Sequence, residues 1–118
     1  MRQEFVIEGR LPGFNDILGM ARTNRFGAAA DKRKLTKRCA DAAGSLLPMK
    51  GPVEVDVYWF ERDTRRDVDG IHAGIKYIMD GLVLAKIIPG DDRKHVTAIR
   101  HFVTVDKVHP RIVVAVTE

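Results

Sequence analysis

Val53, Val55, Val57 and Trp59 alternate with Glu54, Asp56 and Tyr58, and this period of two restricts the fold more than any other feature. Successive side chains along a strand point to opposite faces. The segment therefore reads as a strand with one face on a core, inside a sheet with a layer over it. Immediately downstream the period changes. Ile71, Ile75, Ile78, Leu82 and Ala85 recur at helical spacing and predict a helix from Gly70 to Lys86 with one buried face.

The rest of the chain follows the same logic. Phe5 and Ile7 begin a strand that ends at Gly9, and Pro12-Gly13 suits a type II turn. The small, polar stretch from Asn24 to Ala30, with Gly27 inside it, reads as a loop. Asp31 is placed to cap a helix reaching Leu47 and ended by Pro48, with Leu35, Ala42, Ala43 and Leu46 inward. After the turn Pro89-Gly90-Asp91-Asp92, Val96, Ala98, Phe102 and Val103 mark another strand. Ile112 to Val116 forms a last one, expected as its hairpin partner across a turn near Lys107 to Pro110. The order is β-α-β-α-β-β. The expected class is α+β: one small domain over residues 1–118, a mixed sheet with helices packed on one face.

A chain of 118 residues has a modest core, which a second copy would extend. Its single cysteine, Cys39, allows no internal disulfide and no zinc site of several thiolates, which fits a reducing compartment. The opening residues alternate polar and apolar and lack the apolar core of a signal peptide. No apolar run approaches the roughly 20 residues that span a bilayer; the stretch from Ile71 to Ile88 is broken by His72, Lys76, Asp80 and Lys86. A cytoplasmic protein without membrane contact is expected.

Asp67 and Asp69 stand two apart, a spacing that puts both carboxylates on one face of an extended segment. Asp91 and Asp92 follow the next helix, whose length of about 24 Å would separate the two pairs unless the chain folds back or the helix is shorter or bent. Clustered carboxylates repel one another until a cation neutralises them. Magnesium prefers oxygen ligands, polarises a phosphodiester and lowers the pKa of a bound water. An isolated Asp-x-Asp also serves as a solvated turn or a helix cap.

Arg66-Asp67-Val68-Asp69-Gly70, Lys76, Met79-Asp80-Gly81-Leu82 and Ile87-Ile88-Pro89-Gly90-Asp91-Asp92 together resemble the core of the RusA family of Holliday junction resolvases, often encoded by phages or prophages. That core runs as Asp-x-Asp-Asn, a lysine, an apolar-Asp-Ala-Leu stretch and an Asp-Asp pair. Leu11-Pro12-Gly13-Phe14-Asn15 is similar to the family's N-terminal proline-to-asparagine segment. The resemblance implies a homodimeric, magnesium-dependent endodeoxyribonuclease, with manganese as the alternative metal, that resolves four-way junctions by paired symmetric nicks. It implies Asp67, Asp69 and Asp92 as the essential carboxylates, Asp91 as the neighbouring member of the pair, metal binding by Asp67, Asp69 and one or both of Asp91 and Asp92, and Lys76 as the catalytic lysine. Gly70 departs from the family's asparagine. Three extra residues also precede Lys76, so that the short family spacing falls on Ala73.

The formal charge is +4. Lys32, Arg33, Lys34, Lys37 and Arg38 cluster on the predicted helix after Asp31, and Arg65 and Arg66 directly precede Asp67. Such residues suit a phosphate backbone, so both groups are candidate DNA contacts, although a charge run also serves as a solvated face. His72, Lys76 and Asp80 share one helix face at successive four-residue steps. His95, His101 and His109 show no ligand spacing. Two other functions fit the same residues: a branched-DNA-binding module with weakened catalysis, and a metal-dependent phosphohydrolase acting on nucleotides.

Overall fold

The alternating segment forms β2 (Val53–Glu61), and Val53, Val55, Val57 and Trp59 are all fully buried on one side of it. The computed structural model describes residues 1–118, the side chain of Arg25 excepted. Around β2 lie β1 (Arg2–Glu8), α1 (Phe14–Thr23), α2 (Arg25–Ala42), α3 (Val68–His72), α4 (Ile75–Leu84), β3 (Val96–Val105) and β4 (Arg111–Thr117). The sheet order is β1-β4-β2-β3, with β2 and β3 parallel and the other neighbours antiparallel. This is an α+β domain with a mixed sheet. Register puts Phe5, Ile7, Ile112 and Val114 on the same face as Val57 and Trp59, where Cys39, Ala43, Ile71, Ile78 and Leu82 complete the core. The opposite face stays partly exposed. There Tyr58 stacks on Phe102 at 5.0 Å, and the Arg111 guanidinium lies 4.0 Å over the Phe60 ring.

The expected hairpin between the last two strands is not formed. β4 runs between β1 and β2, and β3 pairs with β2 on the outer edge. Burial explains the choice. Ile112, Val114, Ala115 and Val116 are almost wholly buried and belong in the middle of a sheet, whereas β3 is largely exposed and tolerates an edge. Parallel pairing of β2 and β3 then needs a crossover, and α3 and α4 supply it.

The helices also differ from their expected bounds. α1 has no counterpart in the sequence reading; Asp16 accepts the Gly13 N–H at 2.9 Å and caps it. α2 begins at Arg25, not after Asp31, because the Asn24 side chain accepts the Gly27 N–H at 2.8 Å. A Cβ at residue 27 would lie 2.8 Å from that side chain, so the glycine belongs to the cap and does not mark a loop. α2 also stops at Ala42, short of the expected Leu47.

The single helix expected from Gly70 to Lys86 is divided at Ala73 and Gly74, where three-residue bonds from Gly74 N to Ile71 O and Tyr77 N to Gly74 O replace the α pattern. Gly74 passes so close to the Leu11 and Trp59 side chains that a Cβ there would lie 3.1 and 3.2 Å from them. Past α4, Lys86 takes a left-handed conformation (φ 61°), and the Ile87 and Ile88 amides donate to the Leu82 carbonyl. The chain thus folds back along the helix with both isoleucines buried.

α2 and α4 cross in contact at Gly81, where a Cβ would stand 2.6 Å from the Cys39 Cβ and 2.9 Å from the Ala40 nitrogen. Gly81→Ala is therefore expected to lower stability by about 1–3 kcal/mol through overpacking. That outweighs the roughly 1 kcal/mol alanine ordinarily gains over glycine in a helix. A lower urea midpoint at unchanged m-value is the expected reading, and an unchanged or raised midpoint would show that the crossing relaxes freely.

Candidate functional site

The loop leaving β2 is fixed by one guanidinium. Arg66 donates Nε and Nη2 to the two carboxylate oxygens of Glu61, each at 2.9 Å, and Nη1 to the Leu11 carbonyl at 2.8 Å. Glu61 is buried, with Arg10 as a second cation at 3.6 Å. Paired, bidentate contacts of this kind make a buried carboxylate tolerable and hold their backbone in one place. Arg66 thereby pins the end of β2 to the Leu11 segment just before Asp67.

Asp67 is the N-cap residue of α3, yet its carboxylate makes no cap hydrogen bond. Asp69 lies in the first turn and accepts the Gly70 N–H at 2.9 Å. Both carboxylates line a cleft of about 500 Å³ whose other wall is the start of α1, with Asn15 and Asp16 on it and Arg65 at its border. The two aspartates border one cleft, but from a helix start and not from the extended segment that the spacing argument assumed. The structure also brings the Leu11 to Asn15 segment to them. Asp16 was missed in the sequence; its signal was its place three residues after Gly13, where an acidic side chain closes a cap. A Cβ at Gly70 would meet nothing within 4 Å, so glycine is not demanded there by packing.

Lys76 opens α4 and points to a different set of carboxylates. Its Nζ lies 3.1 Å from Asp80 and 3.6 Å from Asp91, which the fold-back after Lys86 has returned to the start of the helix. These neighbours, Asp80 foremost, raise the Lys76 pKa above its ordinary value and keep it charged. Asp92 faces the other way. It accepts from the Lys94 and His95 amides and meets His95 Nδ1 at 2.8 Å, and the His95 side chain is the main cause of its lowered pKa. The structure does not bring Asp92 to Asp67 and Asp69, because its turn commits the side chain to His95. Of the Asp91-Asp92 pair it is Asp91 that meets the lysine. Among the described residues, no group of three or more His, Cys, Asp or Glu side chains is arranged to hold a metal ion. Asp67 and Asp69 line one cleft, and magnesium commonly takes only one or two protein carboxylates beside water and phosphate.

The candidate DNA-binding cations divide into two kinds. Arg65 is 85% exposed beside the cleft, and Lys32, Arg33 and Lys34 are exposed on α2. Arg66 is held by Glu61 and Leu11, and Arg38 donates to the Glu8 and Arg10 carbonyls, so both are tied into the fold. Lys37 pairs with Asp41 at 3.1 Å.

Behind α3 sits a cluster to which the sequence assigned no role. His72 and His101 stack with ring centroids 3.8 Å apart, and the Trp59 indole N–H donates to His101 Nδ1 at 2.9 Å. That bond leaves His101 neutral with its proton on Nε2, since indole only donates. Burial lowers both histidine pKa values, and the mutual charge adds to this for His101, while Asp69 raises His72 by a smaller amount. The unfolded chain therefore binds more protons than the folded one as pH falls below about 6.5, so stability present above that pH is lost below it. The urea midpoint is expected to drop between pH 7.5 and 5.5. His101→Gln, which keeps an acceptor for Trp59, is expected to flatten that dependence. An equally steep dependence in the variant would place the acid sensitivity elsewhere.

No protein-family model matches this chain, and a search of curated proteins finds no match.

Proposed function

We propose that the protein is a magnesium-dependent, structure-selective endodeoxyribonuclease that resolves four-way DNA junctions by paired symmetric nicks. The observation that carries this reading is the cleft itself. It joins the Asp67 and Asp69 carboxylates to the Asn15 segment, stretches whose sequence resembles the RusA family, with the exposed guanidinium of Arg65, 3.7 Å from Asp63, at its border. Asp67 and Asp69 would hold the metal, which supplies polarisation of the phosphodiester and an activated water. Arg65 offers a charge-assisted contact to the DNA backbone. Lys76 is charged and half-exposed, the state needed to offset charge building on a phosphate.

A four-way junction presents two equivalent strands, so a two-fold homodimer with one cleft per copy matches it. The partly exposed sheet face, with Val6, Phe102 and Tyr58 beside the ion pairs of Asp56 with Arg2 and Arg100, offers a second copy a mixed apolar and charged surface. The cytoplasm is the proposed location. Light scattering at micromolar concentration, with and without junction DNA, tests the dimer; a monomer in both conditions argues against it.

The divided carboxylates favour one other reading, a branched-DNA-binding module with weakened catalysis. A synthetic four-way junction incubated with magnesium, calcium or chelator separates the two. Cleavage with magnesium alone is the expected result, and binding without cleavage in any condition would leave the module. Hydrolysis of nucleotides with no action on junctions would instead mark a small-molecule phosphohydrolase.

A further inference from the structure

A second concavity lies away from the acidic cleft. It is a groove of about 1070 Å³ between α2 and the end of α4. Ala29, Thr36 and Ala40 on α2 and Leu84 and Ala85 after the crossing at Gly81 give it an apolar lining, and Leu84 is 57% exposed there. The α2 positions from Ala29 to Asp41 follow three- and four-residue steps, so this wall runs for about 18 Å, with Gly44 just past the helix end. Lys32, Arg33 and Lys37 rim it, against the single carboxylate of Asp41, which Lys37 already pairs.

We propose that this groove docks an acidic segment of a partner protein, with apolar side chains on the floor and carboxylates against Lys32, Arg33 and Lys37. A groove of this length matches about three turns of an amphipathic helix, a common mode of peptide recognition. The excess positive rim supplies charge complementarity, which gives specificity and a faster encounter. DNA fits the lining less well. Single strands are held on aromatic platforms, of which this groove has none, and an apolar floor gives nothing to phosphates. The assignment goes beyond the nuclease reading and does not depend on it.

The test uses a fluorescein-labelled synthetic peptide of about a dozen residues, with leucine and phenylalanine at helical spacing and aspartate between them. A matched peptide carries asparagine for every aspartate. Saturable anisotropy with the acidic peptide, weakened at least tenfold by the asparagine exchange and at least tenfold by Leu84→Asp, is the expected result. Leu84→Asp is expected to melt like the wild type and to cut junctions at the wild-type rate. That keeps a failure here distinct from a failure of the nuclease reading. No saturation up to about millimolar peptide would overturn the proposal, and so would equal binding by the neutral peptide or by Leu84→Asp. Displacement of the peptide by junction DNA, together with weaker junction binding by Leu84→Asp, would overturn it in favour of a nucleic-acid surface.

Discussion

Asp69→Asn is expected to cut a four-way junction at least a thousandfold more slowly with magnesium present, a loss of about 4 kcal/mol of transition-state stabilisation, and to bind that junction as well as the wild type does. Asparagine retains an oxygen that accepts the Gly70 N–H, so the first turn of α3 survives. What disappears is one negative charge in a cleft shared with Asp67 and bordered by Arg65. A lost carboxylate weakens the hold on a hard cation and the chemistry that depends on it, while the approach of phosphate becomes no less favourable. Asp63→Asn is the control, since Asp63 pairs with Arg62 and Arg65 and does not line that cleft. Gel shift and single-turnover cleavage measured on the same preparations decide the matter. Wild-type cleavage by Asp69→Asn would remove the aspartate pair from the mechanism.

The parts of the fold that were legible in sequence are those set by one local rule. β2 declared itself through strict alternation, and its inward residues are the centre of the core. The buried face of the crossover helix was equally plain in Ile71, Ile78 and Leu82. What could not be read is decided by distant neighbours. Whether β4 pairs with β3 or enters between β1 and β2 depends on how much of each strand the whole molecule covers. The division between α3 and α4 arises because Gly74 meets Leu11 and Trp59, residues far away in the chain. The same holds for the cations. Arg33 and Arg38 look alike in a basic run, yet one is exposed and the other is fastened to backbone carbonyls near Gly9. Asp91 and Asp92 are likewise indistinguishable by composition. Only the fold-back after Lys86 turns one to Lys76 and the other to His95.

Lys76→Ala is expected to slow single-turnover cleavage about a hundredfold while folding and magnesium binding persist. Lys76 follows the break between α3 and α4, so the lysine begins a new helix instead of continuing the old one. At that position it is 59% exposed, and its contacts with Asp80 and Asp91 hold its charge in one place. A hundredfold effect corresponds to about 2.7 kcal/mol. The competing account is a solvated surface pair, and such pairs contribute at most about 1 kcal/mol, roughly fivefold even if all of it bore on the rate. The two accounts are therefore separated by more than tenfold. Asp91→Asn and Asp92→Asn extend the test. If Lys76 works from where Asp91 helps to hold it, Asp91→Asn is expected to slow cleavage more than Asp92→Asn, whose side chain serves its own turn and His95. Cleavage by Lys76→Ala within about fivefold of the wild type would reduce the lysine to a surface partner of Asp80 and return the catalytic cation to Arg65 or to a residue of a second copy.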